Sequence, residues 1–191
     1  QKNFITKIKK KFNYNEISKI LSKFKKLDVF VVGELIVDKY CFGDVIGKSG
    51  KEPHLVLKEK ATEYYLGGSA AIARHLSTFV RTVEILSPFG FEQNYKKILK
   101  NELAKNIKTD YQTITKTRFV DKISRYKLFG SYILPEVSSS NYESYVKKII
   151  RKKKNKTDMF LICDYSHNFI TKNIANEIKK TKKKNILKCP S

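Results

Sequence analysis

The strongest constraint on the fold comes from Val29-Phe30-Val31-Val32, a short unbroken apolar run that stops at Gly33. An apolar run of this length closed by a glycine reads as a buried strand. Two acids follow, Glu34 and Asp38, where the strand is expected to give way to loop. Further on, Gly67-Gly68-Ser69 opens a predicted helix with Ile72, Leu76 and Phe79 recurring at about 3.6-residue spacing. A helix N-terminus presents unpaired N–H groups and partial positive charge, and glycines there let a polar ligand approach the backbone. A carboxylate facing such a helix start suits a polyhydroxylated ligand. The same glycines also suit a tight turn with no ligand, and spacing alone does not choose between the two.

The rest of the chain repeats the pattern. Val83–Leu86 reads as a second core strand and Glu92–Ala104 as a helix burying Tyr95, Ile98, Leu99 and Leu103. Met159–Cys163 is a further buried strand, Thr171–Lys180 a helix, and Asn185–Lys188 the start of one more strand. This is the αβ alternation of a sheet covered by helices. Residues 1–26 form a basic helical extension, in which Glu16–Lys25 is a helix capped by Asn15. Its Ile17, Ile20, Leu21 and Phe24 are expected to pack beside the first strand. Asn141–Arg151 is amphipathic and ends in four cations, Arg151 to Lys154, placed as a helix C-terminus favours.

Between these elements the rhythm breaks. Tyr40–Ile46 and Leu55–Lys58 are short β-like pieces joined by Gly47-Lys48-Ser49-Gly50-Lys51. Lys48 and Ser49 could hold a phosphate, or simply sit on an exposed hairpin turn. Thr113–Val120 alternates, with Ser124–Tyr132 returning as its partner strand, so Lys116 and Arg118 lie about 7 Å apart on one face. That pair suits either a bound phosphate or carboxylate, or a cross-strand ion pair. Asp164 and Tyr165 follow a buried strand and reach the rim where open α/β sheets bind ligands, the same rim as Asp38.

Composition narrows the function. Hydrophobic content of 41% over 191 residues argues for a folded domain with a sizeable core. The formal charge of +22 is carried by lysine, with arginine only at positions 74, 81, 118, 125 and 151. Readers of nucleic acid lean on arginine, so nucleic acid is expected to bind only non-specifically. Cys41, Cys163 and Cys189 are odd in number and widely spaced, which disfavours a disulfide framework or zinc site and points to a reducing cytoplasm. No apolar stretch approaches the roughly 20 residues of a membrane span, so no membrane partner is expected.

The order VVGE-L-IVDKY-C-FGD, then EP-x-x-VL and YLGGSAAIARHL, resembles the N-terminal half of the ribokinase-like (PfkB) carbohydrate kinases. Within that superfamily it is most similar to the heptose-phosphate kinase domain of the bifunctional enzymes of ADP-heptose synthesis. The similarity continues through TITKTRF (Thr113–Phe119) and FLICDYSHNFIT (Phe160–Thr171). It implies an α/β fold, a ribokinase-like sheet covered by helices over residues 27–191. A small β lid is implied near 39–60 and 112–132, with the lid strands available for a homodimer. The implied reaction transfers the γ-phosphoryl of ATP, with Mg²⁺, to a hydroxyl of a sugar phosphate. Asp38 matches the aspartate that holds sugar hydroxyls, and Gly67 and Gly68 match the glycines lining the sugar pocket. TITK-x-R favours the ligand reading of Lys116 and Arg118, and Lys48 and Ser49 fall on the lid loop.

The sequence also departs from that pattern. The family's asparagine after the second glycine is Ala71, its leading acid is Glu34 rather than aspartate, and its late D-Y-G-K-G reads Asp164-Tyr165-Ser166-His167-Asn168. The G-A-G-D motif, whose aspartate is the general base, and the H-x-G-H motif of the adenylyltransferase are both missing. The resemblance therefore implies a fragment with the nucleotide-binding half lying beyond Ser191, inactive alone. The alternative is a non-catalytic sugar-phosphate or polyanion binder.

Overall fold

The computed structural model describes residues 2–90, 107–108, 112–135, 140–181 and 184–188. The predicted helix over Glu92–Ala104 lies outside them. The chain begins with two helices, α1 (Lys2–Lys11) and α2 (Tyr14–Phe24). It then runs through β1 (Asp28–Gly33), β2 (Leu35–Lys48) and β3 (Leu55–Gly68) into α3 (Ser69–Ser77) and β4 (Thr82–Leu86). Two short strands, β5 (Pro88–Phe89) and β6 (Ile107–Lys108), pair with each other. Next come β7 (Ile114–Asp121), β8 (Lys127–Ile133), α4 (Ser140–Lys153), β9 (Met159–Cys163), α5 (Lys172–Lys179) and β10 (Lys184–Lys188).

Four strands make one parallel sheet in the order β10-β9-β1-β4. The lack of polar alternation in β1 and β9 follows from burial on both sides. Phe30, Val32, Phe160 and Ile162 face α4 and α5, packing on Tyr142, Val146, Ile150, Ile174 and Ile178. Val29, Val31, Val83 and Ile85 face the other way, onto Ala70 and Ala73 of α3. The small α3 residues let that helix lie close to the sheet, and Phe79 of the predicted stripe is exposed instead.

A second sheet, β3-β2-β7-β8, forms the lid. The two short pieces expected there are a single long hairpin, 14 residues in each strand, bent where the register shifts at Phe42/Gly43 and Val45/Gly47. Such shifts add a residue on one strand and turn the ribbon. β7 joins β2 in parallel and β8 closes the sheet antiparallel.

The N-terminal extension is helical as expected but differs in two respects. The cap is Asn13, not Asn15: its side chain accepts the Asn15 N–H, while Glu16 reaches back to the Asn13 N–H. That reciprocal box satisfies two helix-end donors at once. Nor does α2 pack beside β1, since it contains no buried residue.

At the start of β1, Asp28 accepts hydrogen bonds from Arg81 Nε (2.9 Å) and Thr82 Oγ1 (2.6 Å). These hold its carboxyl at about 2, against an ordinary 3.8. A depressed carboxylate contributes stability that is complete above its unfolded value and is lost as pH falls through the folded one. Asp28→Asn is therefore expected to flatten the fall of melting temperature between pH 3.8 and about 2. An acid limb identical to wild type would show that the cluster contributes nothing.

Candidate functional site

The site is built where β1 ends and the lid begins. Gly33 stands opposite Cys163 of β9, so close that a Cβ would lie 2.1 Å from the Cys163 carbonyl oxygen. Glu34 is fully buried. Its carboxylate accepts the N–H of Tyr165 (2.8 Å) and of Phe169 (3.3 Å), and its carbonyl accepts the Ser69 N–H (2.9 Å). One residue thus fastens the loop after β9 and the start of α3 to the end of β1. Burial pushes the Glu34 carboxyl above its ordinary value, the backbone N–H groups of Tyr165, Glu34 itself and Phe169 pull it back, and nearby Asp164 raises it further.

Asp38 is a strand residue, not the loop residue expected. It sits in β2 beside Tyr65 of β3 and Lys116 of β7. Two-residue periodicity then places Asp38, Tyr40 and Phe42 on the same lid face as Gly67, Tyr65 and Glu63, and as Lys116 and Arg118. Arg118 Nη1 donates to Asp38 Oδ1 at 2.5 Å, and its guanidinium stacks over Tyr40 at 5.3 Å. The other carboxylate oxygen lies over Gly67, where a Cβ would meet Asp38 Oδ2 at 2.5 Å. Asp38, Tyr40, Phe42, Glu63 and Tyr65 line an open cavity of about 380 Å³. Tyr65 donates its hydroxyl to Glu63 (2.5 Å) and meets Tyr40 edge to face at 5.8 Å.

The structure thus brings Asp38, Gly67, Lys116 and Arg118 together on one face. Of the two readings of the cation pair, the structure shows the cross-strand ion pair: Arg118 is bonded to Asp38, the candidate sugar-binding residue. Lys116 lies over the Tyr132 ring at 5.8 Å. Gly68 caps α3 with φ 60 and ψ −134, so its role is the turn from strand to helix. Lys48 and Ser49 are not brought to this site. They end the hairpin, with Ser49 N–H bonded to the His54 carbonyl (2.9 Å), roughly 30 Å of strand beyond Asp38.

Asp164 and Tyr165 follow β9 as expected, in different roles. Asp164 is half-buried and accepts the Ser166 N–H (2.9 Å). Tyr165 packs against the core on both sides of the main sheet, and burial pushes its phenol up. His167 lies within electrostatic reach of Lys116 and Asp164; burial, then Lys116, hold it below its ordinary 6.5, so it is neutral at pH 7. The position that carries a cation in the resembled pattern therefore carries none here. Tyr40, Glu63 and Tyr65 were missed in the sequence, although aromatic residues alternating with acids along one strand are a usable sign of a ligand-facing surface.

No family model matches the sequence. The chain is 29% identical over 173 residues to the bifunctional protein HldE of Aliarcobacter butzleri, spanning 86% of this chain and 36% of that protein. It is 25% identical to HldE of Sulfurimonas denitrificans, over 89% of this chain and 37% of that one. In structure it matches phosphofructokinase-2 from Escherichia coli, solved with fructose-6-phosphate, at a TM-score of 0.63. That match has 10% identity and covers 84% of this chain and 54% of the other. The chain thus spans about a third of the length of these curated relatives and about half of the solved kinase. Sequence and fold point the same way: this chain is similar in sequence to the HldE proteins and has the α/β ribokinase-like fold seen in phosphofructokinase-2.

Proposed function

We propose that this chain is the sugar-binding portion of an ATP-dependent kinase acting on a sugar phosphate, in the synthesis of ADP-heptose or a related nucleotide-activated sugar. The observation that carries the reading is the Asp38 carboxylate, clamped by Arg118 over the bare α-carbon of Gly67 at the edge of an aromatic-lined cavity. A carboxylate so fixed can accept hydrogen bonds from one or two sugar hydroxyls without first losing conformational freedom. The Tyr40 and Tyr65 rings offer flat surfaces to the apolar face of a pyranose. Lys116 and Arg118 supply the positive charge that a phosphate on the sugar needs. On the opposite lid face, Phe129 and Ile133 are exposed, which supports a homodimer formed through the lid strands.

ATP and Mg²⁺ are the donor and the ion this reading implies. Among the described residues no three His, Cys, Asp or Glu side chains group closely enough to hold a metal. No residue of this chain is assigned to Mg²⁺, and no step of the transfer is built on it.

The test is calorimetric titration with heptose 7-phosphate, with the unphosphorylated heptose and with inorganic phosphate. Asp38→Asn keeps the shape and removes the charge; each charge-assisted hydrogen bond contributes about 1.5–3 kcal/mol, so affinity for the sugar phosphate is expected to fall about 10- to 100-fold. Undiminished affinity in that variant would end the carbohydrate reading. Binding that ignores sugar identity and collapses with added salt would identify a polyanion binder instead.

A further inference from the structure

The first 26 residues hold nine lysines and a single acid, Glu16, whose carboxylate is engaged in the α2 cap. Both helices are amphipathic. At 100° per residue, Phe4, Ile5, Ile8 and Phe12 fall within an arc of about 100°, and Tyr14, Ile17, Ile20, Leu21 and Phe24 within about 120°. None of these side chains is buried: Phe4 is 67% exposed, Ile20 48% and Leu21 44%. A run of exposed apolar residues this long is not the ordinary scatter of a protein surface.

We propose that α1 and α2 form a peripheral anchor that seats on an anionic lipid surface. The apolar stripes enter the head-group and acyl boundary, and the lysines stay among the phosphates. Three occupants compete for such a surface, and charge separates them. A nucleic acid would take the lysines and leave the apolar stripes in water. A second copy of the chain would cover the stripes but bring nine more lysines against the first nine. An anionic bilayer satisfies both features together, and it supplies the two signals that stable peripheral binding needs. Position agrees as well. Leu27, directly after α2, is fixed by its carbonyl to the Arg81 N–H (3.0 Å), so the helices leave from the start of β1. The candidate sugar site lies past the other end of that strand, about 20 Å away. This is surface binding and not a span: among the described residues no helix is long and apolar enough to cross a membrane.

Sedimentation of the 191-residue chain with vesicles tests the proposal, comparing phosphatidylglycerol mixed into phosphatidylcholine with phosphatidylcholine alone. The chain is expected to partition onto the anionic vesicles at least tenfold more strongly. Phe12→Ser with Leu21→Ser, and separately Lys19→Glu with Lys23→Glu, should each reduce that partition tenfold or more. Because all four side chains are exposed, the melting temperature of both variants should match wild type. Three results would overturn the idea. A serine variant that partitions like wild type leaves only bulk charge attraction. Neutral vesicles that bind equally well leave only apolar adhesion. Serine changes that dissociate a dimer with no affinity for vesicles name a second copy as the occupant.

Discussion

Replacing Gly68 with alanine is expected to cost about 3 kcal/mol or more, a fall of roughly 10 °C in melting temperature for a chain of this size. Two effects add. Gly68 sits at φ 60, ψ −134, a region that side chains with a Cβ rarely adopt. A Cβ there would also lie 2.4 Å from the Glu34 carbonyl oxygen, which accepts the Ser69 N–H that opens α3. Backbone cannot yield at that point without releasing the helix from the end of β1. Gly67→Ala is the control. Its Cβ would be crowded at the Asp38 carboxylate, a side-chain end that can swing aside, and would meet the Ile36 carbonyl oxygen at an ordinary 3.6 Å. That variant should melt close to wild type while losing sugar-phosphate affinity, because the swing breaks the register of Asp38 with Arg118. Thermal unfolding of the pair followed by circular dichroism separates the roles. If Gly68→Ala melts within a few degrees of wild type, the turn does not depend on glycine as described.

That division of labour between adjacent glycines shows what a sequence of this kind can and cannot yield. The main sheet was legible because β1 and β9 are short apolar runs without alternation, and only burial on both faces tolerates those, while β4 shows as a shorter run broken by Glu84. The lid was legible only in outline. Lys58-Glu59-Lys60 interrupts any apolar pattern in β3, since one face of a lid strand meets solvent, and Gly43 breaks β2 at a register shift. For the same reason Asp38 looked like a loop residue when it is a strand residue. The pairing of Asp38 with Arg118 was out of reach, because the two are joined by a parallel register between strands far apart in the chain. Periodicity gave the spacing of Lys116 and Arg118 but not what stands across from them. The helix stripe of α2 was read correctly as apolar and wrongly as packed. Amphipathicity marks a face that needs a partner without saying that the partner is in the same domain.

Glu34 carries the other large effect, and it tests whether the rim of the site is held by a buried charge. Removing the carboxylate in Glu34→Ala takes away the hydrogen bonds it accepts from the Tyr165 and Phe169 N–H groups in a water-poor place, at about 1–3 kcal/mol each. The expected total is about 2–6 kcal/mol, accompanied by loosening of the Asp164–Phe169 loop and loss of the His167 position beside Lys116. Glu34→Gln separates charge from shape. Burial raises the folded pKa of Glu34 above its ordinary 4.5, so its ionisation favours the folded state less than the unfolded one. The stability contributed by a raised group is complete below the unfolded value and is lost as pH rises through the folded one. The glutamine variant has no such proton to lose, and every other titrating group is common to both proteins. The stability of wild type relative to Glu34→Gln is therefore expected to decline as pH rises from 4.5 through the raised value, and then to level off. Denaturant midpoints across that range would measure it. A difference that stays flat would mean the carboxylate is solvated rather than buried, and one that grows with pH would mean the N–H groups outweigh burial and hold the carboxyl below its ordinary value; either result overturns the raised value argued here.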